Sequence, residues 1–187
     1  MENGSRERDV MDRLDRLGLW IIMGMVTAII GGPLLHPADS EVIDPNLRVL
    51  KYPQLLEELR LARGRIVLVD CWMETCIPCK RGFPKVIAMQ RKYAQDGLTT
   101  VTLCLTDPTD RASRERIRGF LRQQQSTGLN VLLDEPSDIC QTKLRVDSVP
   151  CLFLFDRSGR LLHKWSNDEV DYDQIEQRVI AAIRSTP

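Results

Sequence analysis

Histidine is almost missing from this 187-residue sequence: His36 and His163 are the only two, and they stand far apart. Six cysteines contain a single close pair, with no second Cys-x-x-Cys to go with it. A structural zinc site needs paired histidines or a second such pair, so no metal is expected. Six cysteines are also too few to staple a chain of this length as a disulfide scaffold. Net charge is missing too, since 26 Lys and Arg face 26 Asp and Glu. Such a balance provides no global field for nucleic acid. There is no glycine-rich phosphate loop, which removes the usual mark of a nucleotide or dinucleotide site, and no cofactor is expected. Internal repeats and low-complexity segments are likewise absent.

The sequence has enough apolar residues for a core: 43% are hydrophobic and 28% charged, a globular balance for one domain with an appendage. The most informative stretch runs Val69-Asp70-Cys71-Trp72-Met73-Glu74-Thr75-Cys76-Ile77-Pro78-Cys79-Lys80. Arg65 to Cys71 has strand length and the continuous apolar character of a strand covered on both faces, and Ile77 to Ala94 reads as a helix. Cys76 then falls at a helix N-terminus, where free backbone N–H groups and the dipole favour a thiolate. Cys79 follows one turn later, close enough to form and reopen a disulfide with it. The motif reads as a redox switch.

Residues 1–16 form a charged tail with four arginines. Leu17 to Leu35 then carries no charge over 19 residues, about 28 Å as a helix against an apolar bilayer core of ~30 Å. Arginine before the run and no Lys or Arg after it until Arg48 place the N-terminus in the cytoplasm and the rest outside. Gly31-Gly32-Pro33 shortens the helical part, so residues 17–35 are expected to be a transmembrane anchor or a signal segment. Residues 36–49 have linker composition, and the folded domain is expected over 50–187. Within it, helices are expected at Pro53 to Ala62, Arg111 to Gln125, Ser137 to Leu144 and Asp171 to Ser185. Strands are expected at Leu98 to Leu105, Val131 to Asp134 and Cys151 to Phe155, the last turning through Asp156-Arg157-Ser158-Gly159 into Arg160 to Trp165. That order indicates an α/β fold with a mixed sheet between helices.

Asp70, Trp72, Cys76, Pro78, Cys79, Lys80 and Pro84 match the thioredoxin active-site region, and Val149-Pro150 matches its cis-proline loop. With its apolar N-terminal run and the helix at Arg111 to Gln125, the chain resembles the TlpA-like, membrane-anchored branch of thioredoxin-like thiol-disulfide oxidoreductases. The resemblance covers Leu50 to Thr186. It implies a thioredoxin fold and a domain facing the periplasm or another extracytoplasmic space. It also implies client proteins with cysteine thiols or disulfides, and a redox partner protein that donates or accepts electrons. Cys76 becomes the attacking thiol and Cys79 the resolving one, with Asp70 a buried carboxylate that relays the Cys79 proton. Trp72 walls the motif, and Thr75, Ile77 and Pro78 line its rim. Pro150 is expected to be cis, leaving the Val149 backbone free to pair with an extended client segment. Two positions depart from the family pattern: Thr75 replaces a common aromatic, and Ser166-Asn167 stands where glycine is usual.

Other readings of the same residues remain. The domain is alternatively a non-catalytic thioredoxin-like interaction module with a static disulfide. Peroxide reduction at Cys76 would need an activating arginine that the sequence does not single out. Cys71, Cys104, Cys140 and Cys151 lie in apolar surroundings and are expected to pack as small hydrophobes, though Cys151, next to Pro150, offers a third sulfur near the pair. Arg111, Arg114, Arg118 and Arg122 make a basic stripe, either a solvated face or a docking face for acidic clients or anionic headgroups.

Overall fold

The computed structural model describes residues 46–185. The charged tail, the apolar run at 17–35 and most of the linker lie outside these residues. Six strands and five helices follow: β1 Leu47–Leu50, α1 Tyr52–Leu61, β2 Ile66–Trp72, α2 Ile77–Tyr93, β3 Leu98–Cys104, α3 Arg111–Gln123, β4 Leu129–Leu133, α4 Ser137–Thr142, β5 Cys151–Phe155, β6 Leu161–Ser166 and α5 Tyr172–Arg184. A short 3-10 turn, Asn167–Glu169, links β6 to α5.

The strands form one sheet in the order β1-β4-β3-β2-β5-β6. β1, β4, β3 and β2 run parallel, while β5 pairs antiparallel with both β2 and β6. β2 is buried along all seven residues because strands flank it and helices cover both its faces. Its side chains alternate: Val67, Val69 and Cys71 pack under α1 and α4, while Ile66, Leu68 and Trp72 pack against α2, α3 and α5. The result is a three-layer α/β/α sandwich.

The register between β2 and β5 fixes where chemistry can occur. Cys71 faces Cys151 across antiparallel strands, so the end of β2 lies beside the start of β5. The loop after β2 and the loop before β5, remote in sequence, therefore meet at the C-terminal end of β2, over the middle of the sheet.

One boundary differs from expectation. The linker does not extend to residue 49, because Leu47–Leu50 pairs with Asn130 to Leu133 as an edge strand. Four residues are too few for a period-two pattern to register, and Arg48 interrupts the apolar run, its guanidinium paired with Glu58 at 2.8 Å. α3 also stops at Gln123 rather than Gln125, since Gln125 takes a left-handed φ of 53° that ends the helix. Among the described residues no helix is long and apolar enough to cross a membrane.

Candidate active site

Cys76 caps α2. Its backbone is extended, and its sulfur accepts the Cys79 N–H at 3.2 Å, filling one of the free donors of the first turn. Pro78 sits in that same turn, where its missing N–H costs nothing. The turn before the helix closes through the Cys76 N–H donating to the Met73 carbonyl at 3.0 Å. Cys76 and Cys79 are joined as a disulfide, with S–S at 2.02 Å and Cα atoms 5.3 Å apart. The two sulfurs are unequal in access: Cys76 is half-buried, whereas Cys79 is 1% exposed.

Beneath the pair, Trp72 is fully buried and meets Phe83 and Phe120 at ring-centroid distances of 5.3 and 5.2 Å. This aromatic cluster joins the loop to α2 and α3. Thr75, Ile77 and Pro78 are exposed on the rim, with Ile77 61% accessible. Asp70 is fully enclosed, and its Oδ1 has no hydrogen-bond partner among the described residues. Burial alone pushes its carboxyl up from 3.8 to about 7.

The Val149–Pro150 peptide is cis, and the Val149 carbonyl oxygen lies 3.9 Å from Cys76 Sγ. Pro150 is buried and Val149 half-buried. A groove of about 540 Å³ opens beside this contact, lined by Met73, Leu105, Asp107, Glu135, Asp147 and Val149. A larger cavity of about 640 Å³ lies under α1, and neither it nor the groove has Cys76 or Cys79 in its wall.

Four contacts were not visible in the sequence. Glu74, two residues before Cys76, takes a 2.9 Å ion pair from Arg116 of α3, and its N–H donates to Thr106 Oγ1 at 3.0 Å. Only the third dimension joins residues 42 positions apart. Arg116 is not one of the four stripe arginines. Asn167 takes the left-handed φ of 52° where the family usually has glycine, and its N–H donates to the Pro150 carbonyl at 2.9 Å. Asparagine tolerates that conformation, so the departure keeps the backbone course. Tyr172 places its hydroxyl against Gly82 of α2.

The four remaining cysteines are free and buried, and burial pushes every one of their thiols up. Cys151 packs with Cys71 and Val69 on the α1 side of the sheet, whereas Cys79 packs with Trp72 on the other. Its thiol takes a hydrogen bond from Ser166 Oγ at 3.5 Å, and burial leaves it with little thiolate to act as a third sulfur. In the basic stripe, Arg118 pairs with Glu115 at 3.1 Å. No group of three or more His, Cys, Asp and Glu side chains suited to a metal occurs among the described residues.

The family described as thioredoxin-like matches residues 64–161, just over half of the chain, with Asp70, Trp72, Cys76, Cys79, Val149 and Pro150 inside the match. The chain belongs to the thioredoxin-like family. It is 26% identical over 133 residues to the thiol-disulfide oxidoreductase ResA of Bacillus thuringiensis subsp. konkukian, covering 71% of this chain and 72% of that one. Over 102 residues it is 30% identical to the thiol:disulfide interchange protein HelX of Rhodobacter capsulatus, covering 54% and 52% of the two chains. A crystal structure assigned to a thiol:disulfide interchange protein DsbE from Chlorobium tepidum superposes with a TM-score of 0.56 at 28% identity, over 67% of this chain and 84% of that one. This thioredoxin-like chain is thus homologous to thiol-disulfide oxidoreductases.

Proposed function

We propose that this protein exchanges electrons with cysteines of client proteins through Cys76 and Cys79, outside the cytoplasm. One observation carries the reading: the two sulfurs are already bonded at the start of α2, one reachable and the other enclosed. In the oxidising direction a client thiolate attacks Cys76 Sγ, a mixed disulfide forms, and Cys79 leaves as a thiolate that takes up a proton. A second client thiolate then attacks the mixed disulfide, leaving the client oxidised and the pair reduced. In the reducing direction the Cys76 thiolate attacks a client disulfide, and Cys79 displaces the client after losing its proton. Asp70 is the group proposed to move that proton, because its carboxyl is poised near neutrality and a general base works best there.

The Val149 carbonyl beside Cys76 supports a role in aligning an extended client segment, with Thr75, Ile77 and Pro78 forming the rim it crosses. Trp72 holds the floor. A redox partner protein resets the pair after each turnover. The uncharged run at 17–35, with arginines before it, supports an anchor that keeps the domain on the far side of the membrane, where disulfides persist.

Insulin reduction by the full chain tests the reading. Wild type should precipitate insulin chains from dithiothreitol well above the uncatalysed rate, and Cys76→Ser should fall to background. Full activity in Cys76→Ser would reject the assignment and leave a static disulfide as the better reading.

A further inference from the structure

Two buried oxygens converge on one turn of α2. On β2, Leu68 packs with Val86 and Met89, and Trp72 packs with Cys79 and Phe83. Asp70 lies between Leu68 and Trp72 on the same face, so strand alternation directs its carboxyl toward the turn of α2 around Gly82 and Phe83. Tyr172, the first residue of α5, packs at that same turn. A Cβ on residue 82 would stand 1.9 Å from the Tyr172 hydroxyl oxygen and 2.1 Å from its Cζ, so the ring fits only against glycine. The hydroxyl oxygen and Asp70 Oδ1 are both shut off from solvent, and neither has a hydrogen-bond partner among the described residues. Tyr172 is also pushed up, first by burial and then by the charge of Asp70.

We infer that the Tyr172 hydroxyl is the polar partner of the ionised Asp70 carboxylate, a positioning residue that holds Asp70 in its proton-accepting form while Cys79 resolves a mixed disulfide. The inference rests on the proposed role of Asp70. No covalent step is added: the two oxygens are not in direct hydrogen-bond contact, so one water bridges them, and the proton taken up still comes from Cys79. The other titratable groups nearby do not offer this contact. Lys85 of α2 lies over the Tyr172 ring at 5.6 Å but is exposed and pairs with Asp173 at 3.7 Å. Asp171, also exposed, caps α5. Cys71 and Cys151 feel the charge of Asp70, yet they pack on the opposite side of the sheet. Trp72 Nε1, Thr100 Oγ1 and Arg114 Nε are the other buried donors without a partner among the described residues; the Trp72 ring is turned into the Phe83 and Phe120 cluster, Thr100 Oγ1 lies against Gly128, and Arg114 belongs to α3.

The test follows the Asp70 carboxyl by ¹³C NMR in the oxidised full-length chain, where Cys76 and Cys79 do not titrate. Removing a hydrogen-bond donor from the carboxylate should raise its midpoint, so Tyr172→Phe is expected to titrate about half to one pH unit above wild type. Gly82→Ala, which pushes the ring away, should shift it in the same direction. Thermal melts of both variants report folding independently. A midpoint unmoved in Tyr172→Phe, or one moved by Trp72→Phe alone, would overturn the inference. Client reduction by Asp70→Asn separates the two levels: wild-type rates there would remove the catalytic role of Asp70, while the NMR midpoint still decides whether Tyr172 is its partner.

Discussion

Asp70 is held at a cost to the fold. Its carboxyl sits near 7 when folded and returns to 3.8 when the chain unfolds, so between those values the folded state binds the extra proton. Stability on this account is full below about pH 4 and declines as pH rises through 7, by roughly 4 kcal/mol in all for a shift of this size. Asp70→Asn should flatten that decline, which urea unfolding at pH 5 and pH 8 measures; equal pH dependence in variant and wild type would contradict it. The same substitution should slow client reduction near neutral pH on the order of 100-fold if Asp70 acts as the base. An acidic residue inside an apolar strand is conspicuous in a sequence, and so is the Cys-x-x-Cys spacing after it. Asn167 was legible only as a departure from glycine, because its left-handed backbone emerges only where the chain turns from β6.

Helix α2 is fixed from below by Trp72 and from the side by α3. Trp72→Ala removes a fully buried ring from contact with Phe83 and Phe120 and should cost about 3–5 kcal/mol, read from urea unfolding. The Glu74–Arg116 pair ties the same loop to α3, but the arginine is half in solvent. Arg116→Ala should therefore change global stability by no more than about 1 kcal/mol, and its effect should shrink in high salt. Element types were readable from periodicity, since β2 is a continuous apolar run and α3 and α5 alternate faces at helical spacing. β1 was not, because a four-residue edge strand gains its identity from pairing with β4 rather than from its own pattern. The contacts of Arg116 and Tyr172 were hidden for a related reason: each depends on how a helix docks, which spacing along the chain does not encode.

Across the whole molecule, antiparallel pairing of β2 with β5 is what converts two distant motifs into one site. It sets the Val149 carbonyl 3.9 Å from Cys76 while every other cysteine stays buried with its thiol pushed up. The redox chemistry of the chain should accordingly belong to one pair alone. Equilibration of the full chain in dithiol–disulfide buffers, followed by acid quenching, alkylation and mass mapping, measures this directly. Cys76 and Cys79 are expected to pass together from disulfide to dithiol in one two-electron transition, with a tenfold change in ratio for about 30 mV, while Cys71, Cys104, Cys140 and Cys151 remain thiols throughout. A Cys76–Cys79 bond that resists reduction while the fold is intact, or a transition carried by another pair, would contradict a working redox switch at the head of α2.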